Sequence, residues 1–232
     1  MNTVGSPATC KNGIAVGASQ NAAPHTSSYE RGPDYLAEFS SRGPTADGRI
    51  KPDCVAPGIR IKSARAVPDS VGECDNSSGL MFAAGTSMAT PIVSGSAALV
   101  RQYFEEGWHV DGRRKLSAGF NPRASLVKAV LLNGGSPLLG VEERASGKVL
   151  ASDPYDEHQG FGRINLLDSL PIHGENDLSA KFVNARSIGN GGRHEIEVVI
   201  DGSGTCAYPL SATLVWTDPS VGAFCKECTY RS

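Results

Sequence analysis

Ala84-Gly85-Thr86-Ser87-Met88-Ala89-Thr90-Pro91 decides how this 232-residue chain is read, because it introduces a long apolar segment. From Ser87 onward the residues are small and apolar: Ile92, Val93, Ser94, Gly95, Ser96, Ala97, Ala98, Leu99 and Val100. Ala89, Val93 and Val100 fall near one face at helical spacing. The pattern predicts a helix buried in tight quarters. It should begin here, since Gly85 accepts backbone angles that other residues refuse and Thr86 and Ser87 are good caps. Ser87 then stands in the first turn, where its own N–H is unpaired and the positive end of the helix dipole favours an oxyanion beside it. Pro91 has no N–H to return to the Ser87 carbonyl, so the first turn should be irregular. An isolated serine before an apolar helix is usually a cap and nothing more; here the rest of the chain reverses that reading.

The composition is that of a soluble globular chain, with 40% hydrophobic residues, enough for a core. With 22 basic and 24 acidic residues the net charge is -2, so there is no basic field to imply nucleic acid or an anionic membrane as partner. No apolar run approaches the ~18 residues of a membrane span. The start, Met1 to Pro7, has neither a basic region nor an apolar run, so it does not read as a signal peptide, and localisation is left open. Six cysteines leave the redox compartment open as well. Cys10 and Cys54 lie in apolar, strand-like surroundings and read as buried thiols, whereas Cys225 and Cys228 supply only two zinc ligands and fit a disulfide with Cys206 better.

In chain order, a turn at residues 4 to 10 precedes a short buried strand at Ile14 to Val16. A turn-rich loop over 20–35 contains His25. Asp47-Gly48 marks a tight turn, and Cys54 to Ala56 and Ile59 to Ile61 read as short strands broken by Pro57-Gly58. A second helix is signalled by Asn121 as cap, Pro122 at the first helical position, Leu126, Val127, Val130 and Leu131 on one face, and Asn133-Gly134-Gly135 as stop. From about Asp177 the period changes to alternation, so 194–198 and 210–216 read as half-buried strands. Asp153, Asp156 and Glu157 could hold calcium, but their spacing matches no loop motif, so no cofactor is assigned.

Gly-Thr-Ser-Met-Ala-Thr-Pro at 85–91 resembles the nucleophile motif of the subtilisin-like serine proteases, the subtilases. Phe39-Ser40-Ser41-Arg42-Gly43-Pro44 and Lys51-Pro52-Asp53-Cys54-Val55-Ala56-Pro57-Gly58 resemble two further stretches of that family, in the right order. Gln159 to Leu166 resembles its glycine-rich stretch near the domain end, and Leu214 to Asp218 the start of a following β-sandwich. The resemblance implies an α/β fold: a partial subtilisin-like domain with a parallel sheet and helices over 1–172, then an incomplete all-β sandwich over 173–232. It also implies a serine endopeptidase acting on protein or peptide substrates. Ser87 would be the nucleophile, Gly85, Thr86 and Ser87 the oxyanion turn, and Gly5 and Pro7 part of the substrate pocket.

A serine hydroxyl needs a base oriented by a carboxylate. In the family order both precede the serine, yet only His25 precedes Ser87, and it lacks a His-Gly-Thr context. The chain is therefore expected to be a fragment without the Asp and His segments, inactive by itself and with apolar surface left uncovered. Two other classes compete. An esterase using Ser87 with Asp153 or Asp156 and His158 or His173 fails because Ala89 stands where the elbow Gly-x-Ser-x-Gly needs glycine. A catalytically inactive binding or scaffold protein of the same fold is the third reading.

Overall fold

The computed structural model describes residues 3–22, 31–65, 79–142, 149–151, 155–199 and 210–217. Small residues build the centre of the sheet. Strand β1 (Val16–Ser19) lies parallel to β3 (Cys54–Pro57), pairing Val16 with Cys54 and Ser19 with Pro57. On its other side β1 meets β2 (Tyr35–Leu36) in an antiparallel contact at Ser19 and Leu36. Beyond β2 come β6 (Gly140–Glu142), parallel to it, and β7 (Val149–Ala151), antiparallel to β6, so the order is β3-β1-β2-β6-β7. A separate two-stranded antiparallel hairpin joins β4 (Ile61–Ala64) to β5 (Leu80–Ala83). The first buried strand thus starts two residues later than the apolar run at Ile14 suggests.

Helix α1 (Thr86–Glu105) packs on β1 and β3, and α2 (Ala124–Asn133) packs on α1. Ala89, Val93, Val100 and Phe104 form the inner face of α1, against Ala18 of β1, Cys54 and Ala56 of β3, and Leu126, Val130 and Leu131 of α2. Alanines on both strands let the helix approach closely. Leu36, Val55, Leu138 and Val141 form a smaller core under β2 and β6. This is the α/β arrangement the sequence implies, with mixed rather than purely parallel pairing.

Three expectations need correction. Helix α1 is not enclosed all round: its outer face, with Pro91, Gly95 and Ala98, is exposed, as is Leu99 at 57%. Nothing among the described residues would meet a Cβ added at Gly95. Helix α2 starts at Ala124 rather than Pro122: Arg123 is its N-cap, extended at φ -68° and ψ 151°, and its N–H donates to Asn184 Oδ1 at 3.0 Å. Cys54 is buried as expected, but Cys10 is exposed. Burial, with the Asp53 carboxylate adding to it, pushes the Cys54 thiol up to about 12.

Residues 173–199 and 210–217 contain no helix and no strand among the described residues. Ile196, Val198 and Leu214 are exposed instead of half-buried. His25, Asp153, Cys74, Cys206, Cys225 and Cys228 lie outside the described residues.

Candidate functional site

The loop between β5 and α1 is fixed by two glycines in close approach. The Gly85 N–H donates to the Gly58 carbonyl at 2.7 Å, and a Cβ on Gly58 would stand 2.9 Å from the Gly85 oxygen and 2.6 Å from Ala18 Cβ. Gly85 takes φ 150°, a conformation that a side chain would resist. It is the helix N-cap, with no side-chain cap, and its carbonyl accepts from Met88 N at 3.0 Å and Ala89 N at 3.3 Å. Thr86 and Ser87 are thus the first two helical residues rather than caps. Pro91 sits inside the helix, and the Thr90 hydroxyl donates to the Thr86 carbonyl at 2.9 Å.

Ser87 is exposed in this first turn. Among the described residues its hydroxyl has no hydrogen-bond partner, and its N–H, like the other leading donors of a helix, has no acceptor. The preceding residue, Thr86, lines a hollow of about 120 Å³ together with Val4, Gly5, Ala8, Ala15, Val16, Gly17, Ser41 and Pro52, and Ser87 itself is not on its wall. Gly5 and Thr86 therefore meet at one hollow, while Pro7 stays off its wall and Ala8 takes the place. Gly5 is held there because Thr3 N and Val4 N donate to the Arg42 carbonyl at 2.8 and 3.2 Å, and Arg42 N donates back to Thr3 Oγ1 at 2.8 Å. No charged side chain lines the hollow among the described residues.

No described histidine bonds Ser87. His158 Nδ1 lies 3.1 Å from Asp156 Oδ2, in a second hollow of about 330 Å³ with Glu38, Arg42 and Glu157. His173 contacts Arg113. His109 packs among Phe104 and Phe120 at the far end of α1. The Asp156 and His158 pairing that an esterase would need exists, but it is not joined to the serine.

Asp53, beneath the hollow wall at Pro52, has a role that reading the sequence did not single out. Its Oδ2 accepts from Ala15 N at 2.7 Å and Lys51 Nζ at 2.6 Å, and its Oδ1 accepts from Lys128 Nζ at 2.8 Å. Lys128 also donates to the Gly13 carbonyl at 2.9 Å. The Lys51 side chain is only 3% exposed, and a lysine with so little access to water needs such a partner. Lys51 and Asp53 two residues apart were visible in the sequence; Lys128, 75 positions away in the chain, was not. The glycines at 160 and 162 allow the close backbone approach expected of them, since a Cβ on Gly160 would lie 2.2 Å from the Pro52 carbonyl.

The family model of the Subtilase family matches residues 1–162. The chain is 33% identical over 198 residues to the serine protease/ABC transporter B family protein tagA of Dictyostelium discoideum, covering 78% of this chain and 10% of that protein. It is 34% identical over 189 residues to pyrolysin of Pyrococcus furiosus, covering 74% of this chain and 12% of that protein. It spans, then, about a tenth of the length of these relatives. Among solved structures, the Clostridium perfringens CspB protease is similar over 72% of this chain and 28% of its own, at 27% identity and a TM-score of 0.43.

Proposed function

The chain belongs to the subtilase family, and from that premise we propose that Ser87 is the nucleophile of a serine endopeptidase. The observation that carries this is an exposed hydroxyl in the first turn of α1, with a backbone N–H that has no acceptor among the described residues and an uncharged hollow lined by the adjacent Thr86. Ser87 Oγ attacks the scissile carbonyl while its proton passes to a base. The C–O bond forms, and the carbonyl oxygen takes the negative charge. The Ser87 N–H and the helix dipole stabilise that charge. The base then protonates the leaving amine as the C–N bond breaks, and water hydrolyses the acyl-enzyme by the same route.

We place the base, its orienting carboxylate and the second oxyanion donor on segments other than these 232 residues, since no described histidine bonds Ser87 and His25 has no His-Gly-Thr context. The hollow with Gly5 and Thr86 receives the side chain before the scissile bond. Its uncharged walls of Val4, Ala8, Ala15, Val16 and Pro52 favour small to medium apolar side chains over charged ones.

The test uses the 232-residue chain alone and mixed with a polypeptide carrying a subtilase Asp and His-Gly-Thr half-domain. Hydrolysis of a chromogenic peptide should match the Ser87→Ala variant for the chain alone. It should rise in the mixture and stay absent when the mixture contains Ser87→Ala. The difference should be large, because the triad acts as a unit: in subtilisin, losing the serine or the histidine costs on the order of 10⁶ in turnover. Turnover by the chain alone would put a base within it and direct attention to His25. Failure of the mixture to bind or cleave peptides, with both parts folded, would favour a catalytically inactive scaffold.

A further inference from the structure

The wall of the hollow is held on one side by a charged group that lies behind it. Ala15 is part of that wall, and Asp53 holds it by both backbone groups: the Ala15 N–H donates to Asp53 Oδ2 at 2.7 Å, and the Asp53 N–H donates to the Ala15 carbonyl at 2.8 Å. Pro52, the residue before Asp53, is on the same wall and crowds Gly17, where a Cβ would stand 3.0 Å from Pro52 Cγ. A shift of Asp53 therefore reaches the hollow by two routes, through Ala15 and through Pro52.

Asp53 is itself held from two directions. Its Oδ2 also accepts from Lys51 Nζ at 2.6 Å, and its Oδ1 accepts from Lys128 Nζ at 2.8 Å. A carboxylate with donors on one oxygen only can turn about its Cβ–Cγ bond, whereas donors on both oxygens fix its plane and keep Oδ2 toward Ala15. Lys51 is two residues from Asp53 and moves with it. Lys128 belongs to helix α2, and its ammonium also donates to the Gly13 carbonyl at 2.9 Å, two residues before Ala15. The Lys128 and Asp53 side chains are 13% and 11% exposed, so water is a poor substitute for these charge-assisted bonds. The opposite wall, with Val4 and Gly5, is held separately through the Arg42 carbonyl, which accepts from Thr3 N and Val4 N.

We propose that Lys128 is a positioning residue for the hollow: through Asp53 and Gly13 it fixes the Ala15 and Pro52 side of the wall, and so sets which side chain fits. It is not on the wall itself. Because the two sides are anchored independently, losing Lys128 changes the spacing between them rather than moving the hollow as a whole. The consequence for specificity rests on the reading of this hollow as the place of the substrate side chain; the fixing of Ala15 does not.

The first measurement is amide hydrogen exchange on the full 232-residue chain. Lys128→Met should speed exchange at Ala15 about tenfold more than at Val100 and Phe104 of α1, because a loss of overall stability alone speeds all three alike. Lys128→Arg, which keeps the charge and its donors, should hold the excess at Ala15 to about threefold or less. Should Lys128→Met fail to fold, Lys128→Gln is read in the same way. The second measurement uses the mixture with the Asp and His-Gly-Thr half-domain and two chromogenic peptides that differ only in Val or Phe before the scissile bond. Lys128→Met should narrow the ratio of their kcat/KM values about tenfold, and Lys128→Arg should largely restore it; a smaller folded fraction lowers both values together and leaves the ratio unmoved. Exchange at Ala15 that rises only in step with α1, an excess as large with Lys128→Arg as with Lys128→Met, or an unmoved ratio in an active mixture would overturn the proposal. A mixture without activity, with the local exchange at Ala15 as expected, supports the positioning of the wall and counts against the reading of Ser87.

Discussion

His109 Nδ1 is buried without a hydrogen-bond partner among the described residues, and its ring stands against Phe120 at 4.9 Å and Phe104 at 5.7 Å between centres. Burial holds its pKa below the ordinary 6.5. A folded-state pKa below the unfolded one means that the unfolded chain binds the proton more readily, so the stability due to neutral His109 is present above pH 6.5 and lost as pH falls below it. Thermal midpoints measured from about pH 7.5 to about pH 5.5 should fall, and His109→Phe should flatten that slope; an unchanged slope removes His109 from the account. Asp53 is a charge that cannot be neutralised without cost. Asp53→Asn leaves Lys51 and Lys128 with no counter-charge from that carboxylate and should destabilise by about 3–5 kcal/mol in urea titrations, the usual range for breaking a buried pair. A loss below about 1 kcal/mol would mean that water reaches both ammonium groups.

At the scale of the element, glycines in α1 and in the turn beneath it have opposite consequences. Gly95 meets nothing within 4 Å, so Gly95→Ala should stabilise by up to about 1 kcal/mol through helix propensity. Destabilisation would show that something packs on the outer face of α1. Gly58 is the contrary case. A methyl there meets Ala18 Cβ at 2.6 Å and the Gly85 oxygen at 2.9 Å, neither of which can swing away. Gly58→Ala should cost on the order of 1–3 kcal/mol. It should also displace the turn before Ser87, which chemical shifts of Gly85 and Thr86 would register while Gly95→Ala leaves them in place.

At the scale of the molecule, residues after 172 are fastened to the two helices. The Phe182 ring centre is 5.0 Å from that of Phe104 and 6.4 Å from that of Tyr103, and Asn133 Oδ1 accepts from Ser211 Oγ at 3.0 Å and Thr213 Oγ1 at 2.9 Å. If the boundary at 172/173 separates independent folding units, Phe182→Ala should leave the main unfolding transition unmoved. The contacts argue for coupling. The expected result is a loss on the order of 1–3 kcal/mol from the single transition, below the full core value because the ring is only partly buried. Two resolved calorimetric transitions, with only one sensitive to Phe182, would restore the division.

The sequence by itself determined the α/β class, the start of α1 within one residue of Thr86, the tight turn at Gly48 and the stop of α2 at Asn133. Each is written in local terms: apolar spacing, a glycine where φ must be positive, a break in periodicity. It also carried the family, because seven adjacent residues at 85–91 form a contiguous word. Relations between distant parts of the chain were decided only by the tertiary structure. Lys128 reaches Asp53, Asn184 takes the Arg123 N–H at the start of α2, and Gly5 shares a hollow with Thr86 while Pro7 does not. The alternation at 194–198 and 210–216 satisfies the period of a strand, but a strand also needs a neighbour, and none pairs with it among the described residues. Periodicity reports which side chains could share a face; whether that face is covered depends on residues far away in sequence, and so does the exposed outer side of α1.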